Sequence, residues 1–340
     1  MSVSADRIHP QTRQRHRLVI VMLIAVILFA GGAMKFGYQT ASLQDMLDAF
    51  WGYNSTNAKH VVLLDIRFPR LMAAIVAGIA LGVAGVLMQV LTRNPLADPG
   101  LLGVNAGASL GVVISIMILG ITDPARFIWS ALGCALVVSA IVLAIGANRQ
   151  ASPLRLIIAG AAIMALSLAI IRAIVLLSRQ TLDTYRFWVL GGFDGVQLET
   201  LLVLMPFFAI GMILAVVSGI WLNALALGSE TAKGLGVSVL LVQFTTIVAI
   251  VFLCAATVSM AGPISFVGLV SAHIARLFSG ADTRWLIIMS ALIGALLLIA
   301  ADLVGRLPIL GGNMQAGLLS ALIGGPVLIW LIRNKRLVQQ

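Results

Sequence analysis

Long apolar runs parted by short polar breaks dominate the chain. The runs are Leu18–Phe36, Pro69–Leu91, Gly100–Leu119, Phe127–Ala147, Pro153–Leu177, Leu198–Gly219, Leu240–Ala261, Trp285–Leu303 and Gln315–Ile332. A helix needs about 20 apolar residues to cross the hydrocarbon of a bilayer. These runs lack the apolar–polar alternation of barrel strands, and a backbone in lipid must satisfy its own hydrogen bonds. Each run therefore predicts a transmembrane helix. One further apolar piece, residues 262–280, is broken by Gly262, Pro263 and Gly268. It predicts a re-entrant start followed by a short helix near Ser271–Ser279, the eighth span in chain order.

Charge at the ends of the runs tests that reading. Arg7, Arg13, Arg15 and Arg17 precede the first run, and Arg333, Lys335 and Arg336 follow the last. Cytoplasmic segments of membrane proteins carry the excess of Lys and Arg, so both termini are expected in the cytoplasm. Two cytoplasmic ends require an even number of spans, and nine clear runs plus the short one make ten. The basic start and first run also suit a signal peptide, but the run is long and its removal leaves an odd count. The expected organisation is one transmembrane domain over residues 1–340. It has an N-terminal tail (1–17), a cytoplasmic segment between the sixth and seventh spans (221–238) and a C-terminal tail (333–340). In this layout the cytoplasmic side holds only slightly more than half of the 22 Lys and Arg. The outer positive charge needs its own explanation.

Composition closes off other classes. The chain is 61% apolar and 10% charged, against about 45–50% and 25% in soluble proteins. Too few polar residues remain to cover a soluble enzyme, and a disordered chain or a nucleic-acid-binding domain is excluded on the same ground, despite the net charge of +10. No phosphate-cradling GxxxxGK[ST] loop is present, so the chain has no sign of binding or splitting ATP itself. His9, His16, His60 and His273 stand apart from one another, and Cys134 and Cys254 lie in apolar runs without ligand spacing. No catalytic, metal or cofactor site is expected. The 12 acidic residues fall almost entirely in loops or at span ends. Ion-coupled carriers need an ionisable group at depth, so a secondary transporter fits poorly. Arg172 is the one charge well inside a run, placed where it can reach outward along the interface.

Two local patterns remain. Gly78 and Gly82, and Gly103, Gly107 and Gly111, recur at a spacing of four. That spacing puts small residues on one helix face and favours close helix contact. Between the sixth and seventh runs, Leu225–Val237 is short, amphiphilic and rich in small residues. It predicts an interfacial helix capped by Ser229.

Several stretches together resemble one family. Arg67-Phe68-Pro69-Arg70, residues 93–109 (RNPLADPGLLGVNAGAS), residues 262–276 (GPISFVGLVSAHIAR), Ala301-Asp302, Arg306 and residues 321–326 (ALIGGP) follow one another along the chain. In that order they resemble the FecCD family of ABC importer permeases, which carry ferric siderophores, haem or cobalamin. The wording of 93–109, with Arg186-Phe187-Trp188, is most similar to the ferric catecholate permeases. The resemblance implies an all-α, polytopic type II ABC importer permease fold of about ten helices in the bacterial inner membrane. It implies that spans 2–5 and 7–10 are repeats, which the residues themselves do not reveal. The implied function is ferric siderophore translocation, with cobalamin or haem as the alternative cargo. The implied partners are a cytoplasmic ABC ATPase dimer, a second permease subunit (identical or paralogous) and a periplasmic substrate-binding protein.

Residue by residue, Glu230, Ala232 and Gly236 match the family's ATPase-coupling segment, with Thr231 in place of its middle alanine. Arg67, Arg70 and Arg306 match outer arginines that pair with glutamates of the binding protein, which would account for the outer positive charge. Read without the resemblance, they are headgroup anchors or internal partners, as for Asp302 and Arg306 one helical turn apart. Ala272 replaces the usual proline before His273, so a less abrupt start to the eighth span is expected. Leu307–Met314 departs from the family pattern.

Overall fold

The computed structural model describes residues 10–37, 40–146, 153–226, 228–280, 282–308 and 314–333. The helices among them, in chain order, are α1 (Pro10–Lys35), α2 (Leu43–Trp51), α3 (Ala58–Val61), α4 (Phe68–Thr92), α5 (Val104–Leu119), α6 (Pro124–Gly146), α7 (Pro153–Leu177), α8 (Arg179–Trp188), α9 (Leu198–Ala226), α10 (Ser229–Gly234), α11 (Val239–Ala261), α12 (Val267–Ser279), α13 (Thr283–Gly305) and α14 (Ala316–Arg333). Expected spans 1 to 10 correspond in order to α1, α4, α5, α6, α7, α9, α11, α12, α13 and α14. Seven helical stretches are long and apolar enough to cross a membrane alone, and α5, α12 and α14 are shorter apolar helices. A wider turn at Val62–Arg67 joins α3 to α4 in one continuous helix. The terminal tails at 1–9 and 334–340, and most of the divergent segment at 309–313, lie outside the described residues.

The connectivity sorts the helix ends into two groups. The near end carries the start of α1, the end of α14, the α9–α11 connection with α10, and the α12–α13 turn. The far end carries α2, α3, α8, the start of α4 and the end of α13. At the far end Ser42 and Asp45 cap α2 reciprocally, satisfying otherwise orphaned N–H groups. A hydrogen bond from Lys59, backed by the Ser42 cap, holds the Asp45 carboxyl down to about 2.

Helix α4 lies at the centre. Its most apolar window is 78% buried, against 11% for α1 and 17% for α7, so α1 and α7 offer their flanks to lipid or to another chain. The expected small-residue face supplies the central packing. Gly78 and Gly82 meet the backbone of α13 at Gly294, Ala295 and Ser290, and Gly85 meets Gly268 of α12, with no room for a Cβ at any of the three. Ser290 Oγ donates to the Gly82 carbonyl at 2.7 Å across the same contact. Backbones this close gain dispersion contacts that larger residues would prevent.

The packing also reveals the repeat. Helix α4 packs on α12 and α13 as α11 packs on α5 and α6, and α5 lies on α6 as α12 lies on α13. Each of α4 and α11 is followed by a return segment, which after α4 holds a short 3-10 turn at Pro99–Leu102, and then by a left-handed residue, Gly103 before α5 and Phe266 before α12. Two expectations are corrected here. The eighth span begins at Val267, four residues before Ser271. Its start is abrupt, because Phe266 takes φ 68°, a conformation rare for a bulky residue. Ala272 sits in the second turn, so the missing proline does not bear on the start.

Candidate functional site

The far end gathers the three arginines singled out in the sequence. Arg67 closes the wide turn before α4, Arg70 lies in the first turn of α4, and Arg306 caps the end of α13. Asp302 stands one turn earlier on α13, and Asp194 lies in the turn between α8 and α9. Arg70 Nε donates to Asp302 Oδ1 at 2.7 Å, and Arg70 Nη1 donates to Asp194. Arg306 Nη2 lies 3.0 Å from Asp302 Oδ2. Arg67 Nη1 donates to the Met34 carbonyl at 2.6 Å and the Lys35 carbonyl at 3.3 Å, closing carbonyls that the end of α1 leaves unpaired.

All three arginines are buried, at 6–8% exposure, and Asp302 at 1%. Charge this far from water persists only when paired and hydrogen-bonded. The cluster therefore ties α1, α4, α13 and the α8–α9 turn together. The Asp302–Arg306 pair is visible in the sequence as an i,i+4 spacing. Asp194 is not, because nothing in its Gly-rich turn signals a partner 124 residues away.

At the near end the three coupling-segment residues form one elbow with three different surfaces. Glu230 is exposed, and Lys233 Nζ donates to its Oε1 at 2.8 Å. Ala232 is fully buried. Gly236 takes φ 77°, a left-handed value that glycine adopts without strain. The Gly236 N–H donates to Lys233 O at 2.9 Å and the Val237 N–H to Ala232 O at 3.0 Å, turning the chain back into α11. The expected cap is corrected: Gly228 holds the capping position and Ser229 is the first helical residue.

Behind the elbow lies a clamp that the sequence reading missed. Asn223, in the last turn of α9, donates through Nδ2 to Asp282 Oδ1 at 3.0 Å and accepts from the Thr283 N–H at 2.9 Å. Asp282 also accepts from the Arg284 N–H, capping α13. Arg15 Nη2 donates to Ser279 O at 2.8 Å, and its guanidinium lies over the Trp285 ring. The Asp282-Thr283 start is a recognisable cap signal, but its partner on α9 is not. Arg93 Nη2 adds a bond to Leu225 O at 2.8 Å, tying the end of α4 to the same elbow.

Among the described residues no group of three His, Cys, Asp or Glu is placed to hold a metal ion. The arrangement can carry force between helices and present charge to partners, and offers no arrangement for bond-making chemistry.

Comparison with known proteins gives one answer. The profile of the FecCD transport family matches residues 19–334. The ferric enterobactin transport system permease protein FepD of Escherichia coli (strain K12) is 41% identical over 321 residues, covering 94% of each chain. The probable siderophore transport system permease protein YfiZ of Bacillus subtilis (strain 168) is 36% identical over 320 residues, covering 93% of this chain and 96% of that one. A solved metal-chelate type ABC transporter in an inward-facing conformation superposes with a TM-score of 0.83 at 25% identity, covering 93% of this chain and 99% of that one. With the helical architecture described above, these matches place the chain in the FecCD transport family, as a polytopic membrane permease subunit of an ABC transporter and not an enzyme.

Proposed function

We propose that the chain is the permease of an importer that carries a ferric siderophore across the bacterial inner membrane, with separate ATPase subunits supplying the energy. The observation that carries this reading is the near-end elbow. It presents Glu230 outward, buries Ala232 and turns at Gly236, on the end that also holds Arg15, Arg17 and Arg333. The positive-inside rule makes that end cytoplasmic, and an ATPase dimer would seat the elbow. A second permease copy or paralogue completes the transport path, and a periplasmic binding protein delivers the cargo to the far end. Siderophore cargo is supported by the similarity to FepD, a ferric enterobactin permease, and YfiZ, a probable siderophore permease. Haem and cobalamin are the alternatives, since permeases for both also align.

The arginine cluster gives docking a physical form. Arg67, Arg70 and Arg306 lie together at the far end with Asp302 and Asp194. Asp194 is the accessible carboxylate, with a side chain 47% exposed against 2% for Asp302. An acidic side chain of the binding protein would displace Asp194 from Arg70, while Arg67 and Arg306 supply the attracting field.

The test is radioactive iron uptake in a deletion strain carrying wild-type or Glu230→Arg permease, with pull-down of the ATPase. The variant is expected to reach the membrane, lose the ATPase and lose uptake. Normal uptake with the ATPase retained overturns the coupling assignment. Normal uptake of every ferric chelate in the deletion strain overturns the importer reading.

A further inference from the structure

A second feature of the far end serves neither coupling nor docking. Helix α2 divides its residues among three surroundings. Ala49 is buried and Met46 half-buried against the apolar core. Gln44 and Asp48 are polar and exposed. Leu43, Leu47, Phe50 and Trp51 are apolar and exposed, Leu43 at 72% and Trp51 at 88%. Successive residues of an α-helix turn by about 100°, so each set keeps to its own sector. Leu43, Leu47 and Phe50 follow the i, i+4, i+7 spacing of one face, and Trp51 stands at its edge, toward Gln44.

Both ends of α2 are tied to one level of the molecule. The apolar stretch of α1 ends at Lys35 after 22 residues, about 33 Å at 1.5 Å per residue. That length matches the hydrocarbon of a bilayer, so Lys35 marks its far surface. The Ala41 N–H donates to Lys35 O at 2.9 Å, which sets the start of α2 at that surface. The bond from Arg67 to Met34 O sets the start of α4 there too. At the other end of α2, Phe50 meets Phe68 edge-to-face at 6.0 Å. Just beyond, Tyr53 donates through its hydroxyl to Asp65 Oδ2 at 2.7 Å. A helix held at one depth by both ends lies along the membrane surface.

Three observations say what covers the apolar sector. First, α2 packs beside α1, whose apolar window is the least buried of the seven long spans. The sector therefore continues the flank that α1 offers to lipid. Second, Trp51 and Tyr53 are the residue types that settle at the membrane–water boundary. Lys35 and Lys59 are exposed cations at the same level, suited to headgroup phosphate. Third, Arg70 and Arg306 engage α13 and the α8–α9 turn, whereas α2 packs on α1, α3 and the wide turn before α4. The place where a binding protein would dock is thus a different side of the far end.

We propose that α2 is an interfacial anchor whose partner is the phospholipid surface itself. Leu43, Leu47, Phe50 and Trp51 are set into the boundary between headgroups and acyl chains. Ala49 and Met46 face the protein, and Gln44 and Asp48 face water. The capping box and the Lys59–Asp45 bond at 2.9 Å keep the short helix formed there. The anchor fixes the depth of the start of α4, and with it Arg67 and Arg70, relative to the bilayer. The assignment holds whichever end of the chain faces outward.

The test uses the full chain in nanodiscs of phosphatidylethanolamine and phosphatidylglycerol, in a Cys134→Ala, Cys254→Ala background. One spin label at a time is attached through Leu43→Cys, Gln44→Cys, Leu47→Cys, Asp48→Cys or Phe50→Cys. Collisions are measured with oxygen, which concentrates in lipid, and with a water-soluble nickel chelate. The oxygen-to-nickel ratio should be about fivefold higher at the three apolar positions than at the two polar ones, following the amphipathic period. Equal ratios at all five positions overturn the proposal. So do apolar positions shielded from both reagents: shielding that needs added binding protein makes that protein the occupant, and shielding only in discs with two chains makes it a second copy. Trp51 gives a reading that needs no labelled chain. The fluorescence difference between wild type and Trp51→Phe isolates its ring. That signal should be quenched about twofold more by lipid brominated near the headgroup than by lipid brominated at the chain end, as a ring at the boundary requires. Quenching by aqueous iodide alone overturns the anchor. Each of these results leaves the importer reading as it stands.

Discussion

The far-end arginine cluster and the near-end elbow use the same residue types to opposite ends. At the far end Arg67, Arg70 and Arg306 are nearly sealed from water, and their partners come from three separate parts of the chain. At the near end Glu230 and Lys233 pair locally, three residues apart, with side chains 85% and 61% exposed. Burial decides what each charge does. Desolvated charges must be matched internally and so hold helices in register. Exposed ones contribute little to stability, about 0–1 kcal/mol, and stay available to a partner. Helix α13 joins the two regions, with Asp282 at one end and Asp302 at the other, about 30 Å apart at 1.5 Å per residue.

The largest expected effect comes from breaking the buried side. Asp302→Ala leaves Arg70 and Arg306 without their shared carboxylate. Breaking a buried pair by removing one partner costs about 3–5 kcal/mol. The variant should accumulate poorly in the membrane and melt early in detergent. Removing all three charges, Arg70→Met and Arg306→Met with Asp302→Leu, should recover much of the accumulation, because apolar replacement of a buried ionic triad is often neutral. Uptake should stay low in the triple variant if these arginines also meet the binding protein. Full uptake would show the cluster to be scaffold alone.

Next in size is Glu230→Arg, whose expected loss of uptake accompanies normal accumulation. The contrast between the two variants is the point. The buried site should fail through the protein's level, and the exposed site through its partner. Equal melting temperatures for Asp302→Ala and Glu230→Arg would break the comparison.

What was legible in the sequence follows the same division between local and distant causes. The spans were legible because a run of apolar residues is a local property and the bilayer fixes its length. The nine long runs map onto helices in order. The eighth was placed four residues late because its start is set by Phe266 turning left-handed beneath α4, where Gly85 and Gly268 touch. No pattern within residues 262–280 encodes that contact. Ser229 was misread as a cap because Ser is a strong capping residue, while Gly228 actually takes the position. The Asp302–Arg306 spacing was readable, being one helical turn, whereas Asp194 and Asn223 meet partners brought together across the chain. The candidate residues themselves were picked out by resemblance, which supplied roles that burial then differentiated.

A smaller effect is expected at the clamp between the two regions. Asn223→Ala removes both bonds from α9 to the α12–α13 turn, one from Nδ2 to Asp282 and one from the Thr283 N–H. Each is worth about 0.5–1.5 kcal/mol net, and Asp282 still caps α13 through the Arg284 N–H. The protein should therefore accumulate. If the elbow moves α13 through this clamp, the variant should keep its ATPase yet lose roughly two- to fivefold in uptake, the rate equivalent of about one lost hydrogen bond. Unchanged uptake would remove the clamp from the route and leave the Arg93–Leu225 bond as the tie between elbow and core.

The smallest expected effect is Lys233→Ala. It removes the exposed partner of Glu230 and leaves Glu230, Ala232 and Gly236 in place. An exposed pair at this spacing is worth about 0.3–0.5 kcal/mol, so level and melting temperature should not move measurably. Uptake separates two roles for the pair. If Lys233 only holds the Glu230 carboxylate in position, its loss frees that carboxylate for the partner, and ATPase association should be kept or slightly strengthened. If Lys233 itself contacts the ATPase, association should fall in proportion to added salt, because exposed charge contacts are screened within about 8 Å at physiological ionic strength. A large loss of stability on Lys233→Ala would contradict the exposed, partner-facing reading of the elbow and erase its contrast with the far end.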